Sequence, residues 1–463
     1  SLNECQLEQL NALKPDNRVQ TDAGLIETWN PNHEQFRCSG VAVVRKTIER
    51  NGLSLPEFSN SPQLIYIVQG KGVGGSIIPG CPETYHESEI GVQGQQGRSL
   101  DQHQKLRRFR EGDVIAVPAG VAHWCYNDGD APLITVVLYD TSNSANQLDN
   151  LDAYTFHMAG NPRKEHRRQQ EYLQEGLRGH GQQEPPYYQR HGQRQECNNI
   201  FCGFDTRILS DVFNVDESTI KKIQSQDDNR GSTVRVKGES LKVISPPRLR
   251  EEEEGRRHKE EEEHGERRHG GESDNGLEEG MFTMRVIENI GDADSADVYT
   301  PRAGRTSTLN SNNLPVLRQL RLGAERGSLY KNGMMVPHWN LNAHSIMYAI
   351  RGSARVQVVD NFGRSVFDGT VQKGQILTVP QNYAVVKQAE SEGFDWISFK
   401  TNDNAMITTL SGKTSAIRAI PEQVLANSFM ISREEARKLK FNVQESTLTT
   451  GSSSWSEKKW SIV

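Results

Sequence analysis

The amino-acid sequence predicts a mainly β chain built as two jelly-roll barrels, related by internal duplication and each followed by a short helical extension. Three echoes carry the prediction. GDVIAVPAGVAHW at Gly112–Trp124 matches GQILTVPQNYAVV at Gly374–Val386, with Gly and Pro in step at an offset of 262 (374 − 112 and 380 − 118). Upstream, YIVQG at Tyr66–Gly70 matches YAIRG at Tyr348–Gly352 at an offset of 282 (348 − 66), which leaves the first copy with an extra loop of about 20 residues. Downstream, LSDVFNVDESTIKKI from Leu209 matches LANSFMISREEARKL from Leu425 at an offset of 216 (425 − 209). Three echoes in one order mark a duplicated unit.

The strands come first. QLIYIVQG (Gln63–Gly70), DVIAVPAG (Asp113–Gly120) and PLITVVLYD (Pro132–Asp140) are short Val-, Ile- and Tyr-rich runs closed by Gly, Pro or Asp. SARVQVVD (Ser353–Asp360), QILTVP (Gln375–Pro380) and FDWISFKT (Phe394–Thr401) repeat the pattern in the second copy. Enrichment of this kind with dense turn punctuation points to a barrel or jelly roll. The helices follow. Ser432 with Glu435 three positions on is a capping-box signature, and Ala436 and Leu439 continue at helical spacing, matched by Ile220 and Ile223. Such a stripe has to be buried on the neighbouring barrel or on another subunit.

The boundaries read as follows: a first barrel with its helices over 1–225, a strand remnant and charged linker over 226–280, a second barrel with its helices over 281–445, and a polar tail over 446–463. Two stretches, 163–195 and 248–275, lack the apolar area to offset the entropy of ordering. The second interleaves Glu251–Glu254 and Glu260–Glu263 with Arg256–Arg257 and Arg267–Arg268, so its basic clusters build no field for nucleic acid. The chain has 463 residues, 25% of them charged, and a formal net charge of −6, which selects no charged partner. No apolar run approaches the roughly 18–20 residues of a membrane span. The chain opens SLNECQLEQL, with neither a Met nor a basic-then-apolar leader, which carries the expectation that a signal peptide has been removed.

The six cysteines, Cys5, Cys38, Cys81, Cys125, Cys197 and Cys202, lie in the first half with no CxxC spacing. That pattern favours disulfides formed in the secretory pathway over a zinc site. Cys125, inside an apolar strand, reads as the free thiol.

PAGVAHWCYN at Pro118–Asn127 resembles the second motif of the cupin superfamily, PxGxxHxxxN. The resemblance implies a metal position in enzymatic members, held by two His and an acidic residue of the first motif and the His of the second. In the first copy His123 fills the second motif, while the offset of 282 puts the first-motif positions near Pro56, Phe58 and Pro62, none of which ligates. The second copy has the converse gap: His338, Asn340 and His344 are present, and Val385 replaces the counterpart of His123. Neither set is complete, so no metal, no cofactor and no catalytic residue is expected. HWNLNAH at His338–His344 reads as a hydrogen-bonded cluster of two imidazoles and an amide at a barrel mouth or an interface. No G-x-S-x-G, P-loop or dinucleotide fingerprint occurs.

Longer strings point to one family. NGLEE (Asn275–Glu279), GCPETYHE (Gly80–Glu87), DQHQKLRRFREGD (Asp101–Asp113), NNIFCGF (Asn198–Phe204), VVDNFGRSVFDG (Val358–Gly369) and FKTNDNAMI (Phe399–Ile407) resemble the legumin-type, or 11S, seed storage globulins over nearly the whole chain. The resemblance implies a nitrogen-rich storage protein that forms a homotrimer in the endoplasmic reticulum. In the protein storage vacuole of the seed, an asparaginyl endopeptidase would then cut between Asn275 and Gly276 into an acidic and a basic chain, after which trimers pair into hexamers. It also implies a Cys5–Cys38 disulfide. Family members carry a Cys seven positions after that Asn; here it is Phe282, so Cys81 lacks its usual partner. A local bridge between Cys197 and Cys202 stays open. The competing readings are a small-molecule-binding bicupin and a metal-dependent cupin enzyme.

Overall fold

The computed structural model describes residues 5–77, 106–148, 152–163, 165, 198–224, 228–238, 241 and 285–451. The first barrel is two facing antiparallel sheets. One contains Asn17–Thr21, Gly24–Thr28, Val41–Ile48, Leu133–Asp140, Gln63–Gln69 and Asp113–Val117 in that spatial order. The other contains Thr155–His157, Gly52–Ser59, Ala122–Tyr126, Lys71–Ile77 and Leu106–Arg110. In the second barrel, Ser345–Val359 and Ala384–Lys400 are long enough to run through both faces, so all ten strands form one sheet. Gly352 and Gly393, both with positive φ, bend these two strands where they cross. A Cβ on Gly352 would lie 2.0 Å from the Gly393 carbonyl oxygen, so no other residue fits that bend.

The halves are joined by exchange. Ile287–Asn289, at the start of the second copy, adds to the first barrel's sheet with Ile287 opposite Ile115. In return Leu13, from the start of the first copy, bridges Ile376 in the second barrel through two backbone hydrogen bonds of 2.7 and 2.8 Å. Between the barrels lies a shared core that includes Trp29, Phe36 and Leu64 from one side and Leu317, Ile346 and Phe399 from the other. Two polar contacts cross it reciprocally. Arg45 Nη1 donates to Tyr348 Oη at 2.9 Å, and Arg326 Nε donates to Tyr66 Oη at 3.0 Å. Arg45 faces Val136 and Arg326 faces Ile397 in matching strand registers, so the two contacts are one interaction made twice.

The extensions are Thr206–Phe213 and Glu217–Ile223 after the first barrel, and Ala416–Ala419, Glu422–Phe429 and Arg433–Phe441 after the second. Ser432 and Glu435 form the reciprocal capping box. Leu209 and Ile220 bury one face, and Leu425 and Ala436 bury the same face of the second copy. Leu439, read from the sequence as part of that stripe, is instead exposed. The stretch read as a polar tail contributes the strand Leu448–Thr450, because Leu448 is fully buried in the second barrel. It pairs with Gly333–Asn340 as Thr233–Arg235 pairs with Gly52–Ser59.

Each inter-barrel tyrosine hydroxyl accepts from a guanidinium, a class of hydrogen bond that contributes about 1.5–3 kcal/mol. Tyr66→Phe and Tyr348→Phe are each expected to lower stability by about 1.5 kcal/mol in urea denaturation. A loss below about 0.5 kcal/mol for both would contradict the role given to these contacts.

Candidate functional site

The cupin-like motif places His123 on Ala122–Tyr126, paired in register with Glu57 on Gly52–Ser59. In the second barrel Val385 occupies the equivalent position, opposite His338. Glu57 is therefore the counterpart of His338, at an offset of 281 (338 − 57). The sequence expectation that Pro56, Phe58 and Pro62 fill the first-motif positions is corrected by one residue. The offset of 282 holds at Tyr66 and Tyr348, but the connection before those strands differs by one residue between the copies.

Glu57 is buried and ionised. Burial alone would raise its pKa, but the ammonium of Lys46, with smaller contributions from the neighbouring His157 and His123, holds it at about 2. Lys46 Nζ donates to Glu57 Oε1, and although burial disfavours its charge, Glu57 keeps it protonated. His157 Nδ1 lies 3.4 Å from Glu57 Oε2, and its Nε2 lies 3.9 Å from Glu165. Burial pushes His123 below its ordinary pKa, with Glu57 opposing only in part. Cys125 is a free thiol, and burial pushes it up to about 12.

The second barrel makes a charge cluster from different residues. Glu325 lies 4.0 Å from Lys387 Nζ and 3.9 Å from Lys400 Nζ, and accepts from Trp396 Nε1 at 3.3 Å. Burial would raise Glu325, and the ammonium groups of Lys400 and Lys387 hold it at about 2. Lys400 donates to Asn340 Oδ1 and Ser345 Oγ, both at 3.0 Å. Lys387 lies over the Trp396 ring, 4.7 Å from its centroid, and burial lowers it to about 8. His338 Nδ1 is 2.8 Å from the Val336 carbonyl oxygen; burial, then the Lys387 charge, lowers its pKa to about 3.

HWNLNAH does not form a single cluster. His338 and Asn340 alternate on a strand and belong to the interior charge group, whereas His344 lies beyond the strand end. There its Nδ1 accepts from the Gln381 N–H at 3.1 Å. His344 also lies beside Cys5 and Cys38, the three ligand-type atoms falling within 4.8 Å of one another. Cys5 and Cys38 are joined in a disulfide, with Cα atoms 4.7 Å apart, so they present no thiolate to a metal. Cys202 is disulfide-bonded. Cys81, Cys197, Asn275, Gly276 and Phe282 lie outside the described residues.

These interiors do not suit a divalent metal. The first-motif position of the first barrel that corresponds to His338 is held by Glu57, whose charge is already matched by Lys46. A divalent ion there would face a buried ammonium and would have to displace it. The second barrel sets two ammonium groups against one carboxylate, which repels a cation more strongly. Sequence reasoning missed Lys46, Glu57, His157, Glu325, Lys387 and Lys400. The available signal was core-facing charge within apolar strands, in VVRKTI, AVVKQA and ISFK.

Comparison with known proteins agrees with this architecture. A family model described as Cupin matches residues 10–164 and 288–437. The duplicated fold with its altered motif therefore defines a bicupin. The chain is 56% identical over 466 residues to 11S globulin seed storage protein 1 of Carya illinoinensis, covering 96% of this chain and 90% of that one. It is 48% identical over 478 residues to Legumin A of Gossypium hirsutum, covering 98% and 93%. The crystal structure of the coconut allergen cocosin superposes with a TM-score of 0.79 at 41% identity, over 97% of this chain and 100% of that one. The chain belongs to the 11S globulin, or legumin-type, family of seed storage proteins.

The buried groups set an acid-side dependence. The ordinary pKa of His is 6.5 and that of folded His338 is about 3, so between these values the unfolded chain takes up a proton that the folded chain refuses. Stability therefore falls as pH falls through that window. Glu57 and Glu325, held at about 2 against an ordinary 4.5, add a second loss below pH 4.5. His338→Gln is expected to flatten the fall in melting temperature between pH 6.5 and 4.5, leaving the shares of His123 and His344. A slope identical to the parent chain would contradict the assignment.

Proposed function

We infer that the chain serves as a nitrogen reservoir of the seed and carries out no reaction. The observation that supports this most directly is the pairing of Glu57 with Lys46 and of Glu325 with Lys387 and Lys400. These pairs fill the barrel centres where enzymatic relatives would need open metal coordination. The Gln-, Asn- and Arg-rich stretches of the sequence carry extra nitrogen per residue and hold too little apolar content to build a core. Immunoblots through germination check the role: the chain is expected to accumulate in mature seed and then disappear. A constant level through seedling growth would contradict it.

The same reading includes assembly as a homotrimer, with hexamers after processing. Support comes from the helical extensions. Their inner faces are buried, yet Ile208, Val212 and Phe213 on one and Val424, Phe429 and Met430 on the other remain exposed, Met430 at 93%. Two matching apolar faces on one monomer suit a head-to-tail ring that closes. Val212→Asp combined with Met430→Asp is expected to convert a particle of three chain masses into a monomer in native mass spectrometry. An unchanged trimer would contradict this use of the faces.

Processing by an asparaginyl endopeptidase between Asn275 and Gly276, in a storage vacuole reached through the endoplasmic reticulum, completes the proposal. Phe282 stands where relatives of this family carry the bridging Cys. Cleaved protein is therefore expected to separate into two chains on a denaturing gel without reductant. A single band that splits only on reduction would contradict that.

A further inference from the structure

Beside the Lys46–Glu57 pair, the first barrel keeps a cavity of about 130 Å³. Part of its lining is apolar, with the barrel-facing Val19, Ile26, Ala42 and Val44. The rest is polar and includes Lys46, Glu57, His157, Glu165 and Thr28. Asn17 and Pro31, both half-buried, also line it.

The charges in this lining do not balance in pairs. Glu57 is matched by Lys46. Glu165 has no lysine or arginine partner among the described residues. One carboxylate oxygen accepts the Ser232 N–H at 3.1 Å, and the other lies 3.9 Å from His157 Nε2, too far for a hydrogen bond. The side chain is only 13% exposed, and burial pushes its pKa up. A buried carboxylate without a counter-charge is costly, and an incoming ammonium would relieve that cost. The Thr28 hydroxyl, in the same lining, is buried without a hydrogen-bond partner. For scale, an apolar protein cavity of about 150 Å³ accepts benzene.

We propose that this cavity is a binding site for a small primary ammonium with an apolar body of about benzene size, its charge at Glu165 and its body against Val19, Ile26 and Val44. Lys46 does not compete, because Glu57 neutralises it. The site is distinct from storage: it requires only the folded first barrel, whatever the fate of the chain in the seed.

Isothermal titration of the intact chain at pH 7 with benzylamine, benzyl alcohol and toluene tests the proposal. Benzylamine is expected to saturate at one molecule per chain and to bind at least about tenfold more tightly than the two neutral probes. Glu165→Gln, which keeps the shape and the bond to Ser232, should weaken benzylamine about tenfold and leave benzyl alcohol unchanged. Val44→Phe, which fills the apolar part, should abolish binding of all three. The comparison of amine with alcohol needs no variant, so it stands even if a substitution unfolds the barrel. Absence of saturable benzylamine binding, equal affinity for amine and alcohol, or an unaffected Glu165→Gln chain would each overturn the assignment.

Discussion

A glutamate held against lysine at the centre of each barrel is the constraint around which the rest of this chain is arranged. Taking such charges out of water costs several kcal/mol per ion, so the surrounding strands must supply close partners. In the first barrel Lys46 and Glu57 supply each other, with His157 and His123 beside them. In the second, Glu325 sits between Lys387 and Lys400, and Asn340, Ser345 and Trp396 provide the remaining hydrogen bonds.

The two clusters are not copies of each other. Strand register makes Val44 the counterpart of Glu325, Tyr139 that of Lys400, and Cys125 that of Lys387. Lys46 corresponds to Gly327, where a Cβ would lie 2.0 Å from the Trp396 ring. The indole thus fills the space into which Lys46 projects in the first barrel. What the duplication retained is a rule, that one buried carboxylate is neutralised internally, and each copy meets it from different strands. The outer architecture is conserved more literally. The Arg45–Tyr348 and Arg326–Tyr66 contacts and the exchange of Leu13 for Ile287–Asn289 tie the copies into one body with a shared core.

This division explains what was legible in the amino-acid sequence. Barrels and extensions were readable because they rest on local rules: apolar strands closed by Gly112 and Pro118, and the Ser432–Glu435 box. The interior was not, for two physical reasons. A one-residue difference in a connection shifted Pro56 into the place that belongs to Glu57, and along a strand one residue reverses the face. Lys387 and Lys400 were hidden in otherwise apolar runs, where only their partners across the barrel show that they are buried. Sequence proximity misled at HWNLNAH as well, since the end of the strand separates His344 from His338 and Asn340.

The most direct measurement is a double-mutant cycle on Lys46→Met and Glu57→Gln, followed by chemical denaturation. If the pair is the interaction on which the first barrel depends, each single change strands a buried partner and costs about 3–5 kcal/mol. The double variant should then cost less than the sum of the singles by at least about 1.5 kcal/mol. Additive losses, within about 0.5 kcal/mol, would mean that the two side chains are energetically independent. That outcome would contradict the account of the barrel interior.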